Sequence, residues 1–266
     1  MNTSAPRLDT IRDATAPSLS GAQLGELLTL LAGADTVELK VTVPEAGRRE
    51  VIQQLEMDPL RAQIRQVAYF DTQDLRLNRH GLVVRARRLT RGLGDSIIKL
   101  RPVLPSELSN HLRRVSGFGV EVDAMPGGFV CSARLKAEVD GPLVRKVFRG
   151  RKPVRRLFTS QQRALFDDLA PEGLLLDDLD VLGPLTILKL KFVPKGFSRP
   201  LVAELWFYPN GSQILELSTK CTPEETFTVA AEAKAFLSSR GVDLAAPQRT
   251  KTRTALDLLA EAGTTS

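Results

Sequence analysis

An α+β fold, with antiparallel strand pairs and helices set between them, follows from three features of this 266-residue chain. Six segments alternate apolar with ionic residues: Val37-Glu38-Leu39-Lys40-Val41, Val84-Arg85-Ala86-Arg87, Ile98-Lys99-Leu100-Arg101, Val120-Glu121-Val122-Asp123, Ala133-Arg134-Leu135-Lys136 and Leu188-Lys189-Leu190-Lys191. Side chains on a strand point alternately to opposite faces, so each segment puts its charges on one face and its apolar residues on the other. Strand signals come in adjacent pairs, and Pro209-Asn210-Gly211-Ser212 carries the Asn-Gly hairpin signal. Stretches with helical period separate the pairs.

Each element has its own warrant. Residues 1–18 are polar, contain two prolines and read as a disordered leader ahead of one domain over 19–266. Ser18 or Ser20 caps a helix that carries Leu24, Leu27, Leu28 and Leu31 on one stripe. The first charged strand begins at about Thr36 and Pro44 closes it. Residues 45–57 read as a helix, and strands follow at 63–71, 81–89, 95–101, 117–124 and 129–138. A helix at 140–149 precedes a second at 160–169, capped by Thr159 or Ser160. Pro184 and Pro194 bracket a strand at 185–193. Strands at 201–208 and 212–219 and helices at 223–239 and 252–262 complete the chain.

Composition narrows the partners. The net charge of +6 is Arg-rich, which favours phosphate or carboxylate, because guanidinium makes forked, permanently charged contacts. Aromatic residues make up 5% and do not interleave with the basic positions, which argues against single-stranded nucleic acid. Cys131 and Cys221 lie far apart without ligand spacing, so neither a disulfide framework nor a zinc site is expected. No run reaches the roughly 18 apolar residues of a membrane span. A reduced, cytoplasmic protein is the expectation.

The ionic face looks either at bulk water or into a wet, closed cavity. Its composition favours the cavity, since the positions are nearly all Arg, Lys or Glu, without the Thr, Ser and Gln of a solvated face. Like charges 4 Å apart repel by about 4 kcal/mol at an effective dielectric near 20. Arg85, Arg87, Lys99, Arg101, Lys189 and Lys191 on one surface therefore call for a polyanion. Glu38, Glu121, Glu204 and Glu216 sit among these bases either as neutralising partners or as holders of Mg²⁺ or Mn²⁺, hard cations that take carboxylate oxygen. No G-x-x-x-x-G-K-[ST] loop, H-E-x-x-H or G-x-S-x-G motif is present, so a phosphate site must be built from side chains.

Thr36-Val37-Glu38-Leu39-Lys40 resembles the opening E-x-E-x-K of the CYTH superfamily, the triphosphate tunnel metalloenzymes. Tyr69-Phe70-Asp71-Thr72-Gln73-Asp74-Leu75-Arg76-Leu77, then Gly81-Leu82 and Arg85-x-Arg87, resembles its YFDT-x-D-L-x-L…G-L-x-x-R-x-R block. Lys99-x-Arg101 stands where the family has its next basic pair, and Glu204 and Leu215-Glu216-Leu217 look like its closing acidic strands. The resemblance spans 34–240, strongest through 69–101 and loosest between 125 and 185. It implies an antiparallel barrel with a charged lumen and helices outside, acting with a divalent metal on inorganic triphosphate, thiamine triphosphate or, as a class IV adenylyl cyclase, ATP. Two departures stand out: Thr36 takes the place of the first motif Glu, and Ile214 and Ser218 flank Glu216 where the family often has paired Glu.

The expected site follows. Glu38 and Lys40 act in catalysis. Lys40, Arg85, Arg87, Lys99 and Arg101 clamp the triphosphate, with Lys189 and Lys191 as further members. Glu38, Glu204 and Glu216 hold Mg²⁺ or Mn²⁺, while Glu121, Arg134, Lys136 and Lys251 are additional candidates. Hydrolysis of an inorganic or simple organic triphosphate is the first expectation, cyclisation of ATP the second, and polyphosphate or nucleotide binding without catalysis, motivated by Thr36, the third. The partner is a small polyanion, and a homodimer is compatible with this reading. Asp177, Asp178 and Asp180 read as a solvated turn, His80 and His111 as surface residues, and the basic run Arg145 to Arg156 as a solvated helix end in preference to an RNA or polyphosphate surface.

Overall fold

A computed structural model describes residues 19–263; the expected leader at 1–18 lies outside the described residues. Nine strands are laid down in chain order: β1 (Thr36–Val43), β2 (Gln63–Asp71), β3 (Leu82–Leu89), β4 (Gly94–Leu100), β5 (Phe118–Met125), β6 (Gly128–Val139), β7 (Asp180–Phe192), β8 (Leu201–Phe207) and β9 (Gln213–Cys221). They close into a barrel in the order β1-β5-β6-β4-β3-β2-β7-β8-β9, with β9 returning to β1. Closure leaves no unpaired sheet edge. Eight of the pairings are antiparallel, as expected. The ninth, β1 with β5, is parallel, with Thr36 opposite Glu121 and Glu38 opposite Asp123. No hairpin joins these strands, so local sequence carries no sign of their pairing.

The helices cover the outer, apolar face. α1 (Gly21–Leu31) is capped by Ser20 with a reciprocal bond from Gln23, the two-way cap that satisfies orphan donors at a helix start. Its Leu27, Leu30 and Leu31 pack on Val37, Val120 and Val122. α2 (Arg48–Gln54) and α7 (Thr226–Ser239) close over Val41, Leu190, Leu215 and Leu217. α5 (Gly141–Phe148) and α6 (Ser160–Leu169) cover Val84, Ala86, Ile98 and Leu135. The fully buried Gln162 docks α6 on the sheet by donating to the carbonyls of Ser96 and Leu135, both at 3.1 Å. Two one-turn helices, α3 (Arg76–Arg79) and α4 (Asn110–Arg113), were not signalled by any periodicity, being too short to show one.

The block around residues 69–82 is structural. Asp71 is buried and its carboxylate accepts from the backbone N–H groups of Thr72, Leu77 and Asn78 at 2.8–3.0 Å. It thereby holds the turn that opens α3. Gly81 has φ +74, and a Cβ there would stand 2.5 Å from the Arg101 carbonyl oxygen, so only glycine permits this crossing. The crossing sets the chain just before Arg101, whose N–H bonds Gly81 at 2.8 Å.

β7 starts at Asp180, five residues before the expected strand. Pro184 does not end it, because Gly183 and Pro184 lie at an irregularity opposite β2, where Val67 pairs with Leu185 and Tyr69 with Leu182. A bulge tolerates a residue without an N–H. The last helix, α8 (Lys251–Gly263), packs into the barrel. Its Ala255, Leu256 and Leu259 are buried among Val67, Tyr69, Val83, Ile187, Trp206 and Ile214, residues on the inward face of the barrel. The lumen is therefore not wholly ionic: one part is apolar and filled by α8. Full burial of a leucine such as Leu256 is worth about 1.5–3 kcal/mol.

Candidate functional site

The rest of the lumen is a cavity of about 250 Å³. Eleven cationic and five carboxylate side chains line it, an excess of six positive charges. The strand period explains the convergence. Glu38 and Lys40 project from β1, Arg85 and Arg87 from β3, Lys99 from β4 with Arg101 just beyond it, and Glu121 and Asp123 from β5. Arg134 and Lys136 come from β6, Lys189 from β7, Glu204 from β8, Glu216 and Lys220 from β9, and Lys251 from the start of α8. Every candidate read from the sequence lines this cavity except Lys191. That residue has the inward parity of Lys189, but it is exposed near the end of β7 and lies outside the lining.

Two ionic groups share the space. In the first, the Lys40 ammonium stands 3.0 Å from Glu38 and 2.8 Å from Asp123, while Lys99 reaches the other Asp123 oxygen at 3.2 Å. Glu121 meets Lys220, and Arg134 is 3.9 Å away. In the second, Lys251 contacts Glu204 at 2.5 Å and Glu216 at 2.6 Å, and Lys189 contacts Glu204 at 2.8 Å. Arg87 is turned to Asp95, which it grips through Nε and Nη2, both at 2.8 Å. Among the described residues, Arg65, Arg85 and Arg101 line the cavity without an ion pair, and the buried Nε of Arg85 has no hydrogen-bond partner. These three cations are open to an anionic ligand.

Carboxylate oxygens of Glu38, Glu121 and Asp123 all lie within 4.8 Å of one another, the one such acidic trio among the described residues. Three hard oxygen donors at that spacing fit Mg²⁺ or Mn²⁺. The expected set of Glu38, Glu204 and Glu216 is not brought together in this way. Lys251 lies between Glu204 and Glu216, and Glu38 turns to β5 instead. Thr36, at the position of the first motif Glu, has its hydroxyl 3.5 Å from Glu121. Its parallel neighbour on β5 thus carries a carboxylate where Thr36 has none.

Neighbouring lysines keep the lumen carboxylates ionised. Burial alone would push the Glu38 carboxyl up, but Lys40, Lys251 and Lys220 outweigh it and bring it down to about 2. Asp123 and Glu204 are likewise lowered, against burial, by the lysines beside them. Lys251 is raised, because Glu204 and Glu216 overcome the cost of burying it. A carboxyl lowered in the folded state stabilises the fold above its unfolded value and loses that contribution as pH falls through its folded value. Stability should therefore fall between pH 4.5 and 2, with Glu38 contributing up to about 3 kcal/mol. Thermal melts across that range check this, and the fall should be shallower in Glu38→Gln.

Four site residues were not singled out from the sequence: Asp123, Asp95, Lys220 and Arg65. Asp123 shares strand parity with Glu121, so the signal was present; Asp95 lies opposite Arg87 once the β3–β4 register is known. His80 and His111 are exposed, Asp177 binds Arg155 at 2.5 Å on the surface, and residues 145, 146, 149, 151, 152, 155 and 156 of the basic run are exposed. Among the described residues no helix is long and apolar enough to cross a membrane.

No protein-family model matches the sequence, and no curated protein matches it. Solved structures do. A candidate adenylate cyclase from Bacillus halodurans superposes with a TM-score of 0.57 at 15% identity, over 83% of this chain and 97% of that one. A candidate adenylyl cyclase from Hippeastrum, described as having a dominant triphosphatase activity, superposes with a TM-score of 0.59 at 16% identity, over 84% of this chain and 95% of that one. At such identities the superpositions show shared architecture, here a closed barrel with helices outside. The chain shares the fold of these two solved structures.

Proposed function

We propose that the lumen binds a triphosphate, inorganic or attached to a simple organic group, and hydrolyses it with the help of Mg²⁺ or Mn²⁺. The observation that carries this reading is the excess of six cations enclosed in a cavity of about 250 Å³. A dry cavity would make each unpaired charge cost several kcal/mol, so these cations need water or a polyanion. A triphosphate concentrates negative charge on a short chain and meets that need. Arg65, Arg85 and Arg101 are available to bind phosphate oxygens at once, and Lys40 and Lys99 can exchange Asp123 for phosphate. The Hippeastrum relative, with its dominant triphosphatase activity, supports hydrolysis as the chemistry.

Glu38, Glu121 and Asp123 would hold the metal ion, which supplies neutralisation of charge developing on the phosphoryl oxygens. Glu38 stays ionised at neutral pH and can accept a hydrogen bond from the attacking water. A bond forms from that water to the terminal phosphorus while the bridging P–O bond breaks, giving orthophosphate and the shortened phosphate chain. Lys40, beside Glu38, stabilises the negative charge in transit. The expected result, with tripolyphosphate, thiamine triphosphate or ATP and either metal, is orthophosphate release. Cyclic AMP with pyrophosphate from ATP would assign a cyclase instead, and tight binding without product from any of them would leave a binding protein.

A further inference from the structure

We propose that Lys251 stands in for a second divalent cation between Glu204 and Glu216, so that the lumen takes a single metal ion, on Glu38, Glu121 and Asp123. This deepens the reading of the lumen as a metal-dependent triphosphate site and rests on it. Glu204 and Glu216 face each other directly on β8 and β9, and both are buried. Two facing carboxylates offer oxygen ligands to a hard divalent cation. Here the Lys251 ammonium touches both, at 2.5 and 2.6 Å. The remaining capacity of Glu204 is taken by Lys189 at 2.8 Å and by the Trp206 indole N–H at 3.3 Å. Both oxygens of Glu204 are therefore engaged by protein donors, and a divalent ion arriving there would meet two ammonium groups.

Lys251 is also fixed in place, as a substitute cation must be. Its carbonyl accepts from the Tyr208 hydroxyl at 3.1 Å, and its ammonium lies 5.4 Å from the Trp206 ring centroid, within cation–π range. The preceding backbone is tied to β1, where the Thr42 hydroxyl donates to the Arg249 carbonyl at 3.1 Å and the Thr42 N–H to the Gln248 side chain at 2.8 Å. The helix that follows is anchored by its buried Ala255, Leu256 and Leu259. The acidic trio is also reached by lysines, Lys40, Lys99 and Lys220, but it offers three carboxylates instead of two. The Lys220 side chain is 50% exposed and can turn away to an arriving phosphate.

The test is a titration of purified full chain with Mn²⁺, free ion being followed by electron paramagnetic resonance, in the absence of any triphosphate. Wild type should bind one Mn²⁺ per chain. Glu121→Gln should weaken that binding at least tenfold, whereas Glu204→Gln should leave it unchanged. Lys251→Met should bind two, and Mn²⁺ should raise its melting temperature more than that of wild type. Two ions per wild-type chain, no ion at all, or loss of the site in Glu204→Gln would each overturn the proposal. So would a folded Lys251→Met variant that still binds one. If that variant does not fold, the wild-type stoichiometry and the two Glu variants decide the matter. Because no triphosphate is present, failure to hydrolyse one leaves this result standing, and the reverse also holds.

Discussion

Replacing Arg85 by Ala is expected to weaken tripolyphosphate binding by about 10- to 100-fold, the worth of one or two charge-assisted hydrogen bonds at about 1.5–3 kcal/mol. The melting temperature should stay close to that of wild type. Arg85 lines the cavity, makes no ion pair among the described residues and has a buried Nε without a partner, so its removal strands no carboxylate. Arg87→Ala should behave in the opposite sense. It would leave Asp95 buried with only Lys136, at 3.5 Å. Breaking such a pair costs about 3 kcal/mol, and the melting temperature should drop on the order of 10 °C. Isothermal titration with tripolyphosphate, paired with thermal melts of both variants, separates the roles. An Arg85→Ala protein that melts normally and binds as tightly as wild type would remove the open-cation argument.

That contrast marks the limit of what the strand alternation conveys. Arg85 and Arg87 are indistinguishable in Val84-Arg85-Ala86-Arg87: same residue, same face, two positions apart. Only the register of β3 on β4, which sets Asp95 opposite Arg87, leaves one gripped by a carboxylate and the other without an ion pair. Parity alone correctly turned Glu38, Lys40, Lys99, Glu121, Arg134, Lys136 and Lys189 inward, because on a closed barrel one parity must face the lumen. It misjudged Lys191, since parity says nothing about where a strand leaves the barrel. The carboxylate grouping was out of reach for a different reason. Glu38 meets Glu121 and Asp123 through the parallel β1–β5 contact, a long-range pairing with no turn between its strands. Lys251 likewise joins Glu204 and Glu216 only because α8 enters the barrel, and its Ala255, Leu256 and Leu259 stripe reads equally well as an outer helix face.

Asp123→Ala is expected to be the most destabilising single change in the lumen. Lys40 and Lys99 both lean on this carboxylate, at 2.8 and 3.2 Å, and burial weighs against the charge of each. Removing a buried partner leaves uncompensated charge and costs about 3–5 kcal/mol, a fall in melting temperature on the order of 10 °C. The two ammonium groups should then respond to whatever can neutralise or discharge them. Tripolyphosphate should raise the melting temperature of the variant more than that of wild type, because phosphate oxygens take the vacated place of the carboxylate. Rising pH should help as well. Burial already holds Lys99 below its ordinary value even with Asp123 beside it, and losing that carboxylate lowers it further. The unfolded chain then binds more protons than the folded one, and stability climbs as pH rises toward the unfolded lysine value near 10.5. Wild type should climb less, because there Asp123 partly offsets the burial of Lys99. A variant that melts like wild type, or one that neither ligand nor alkali rescues, would show that Asp123 is not the counter-ion on which the two lysines depend.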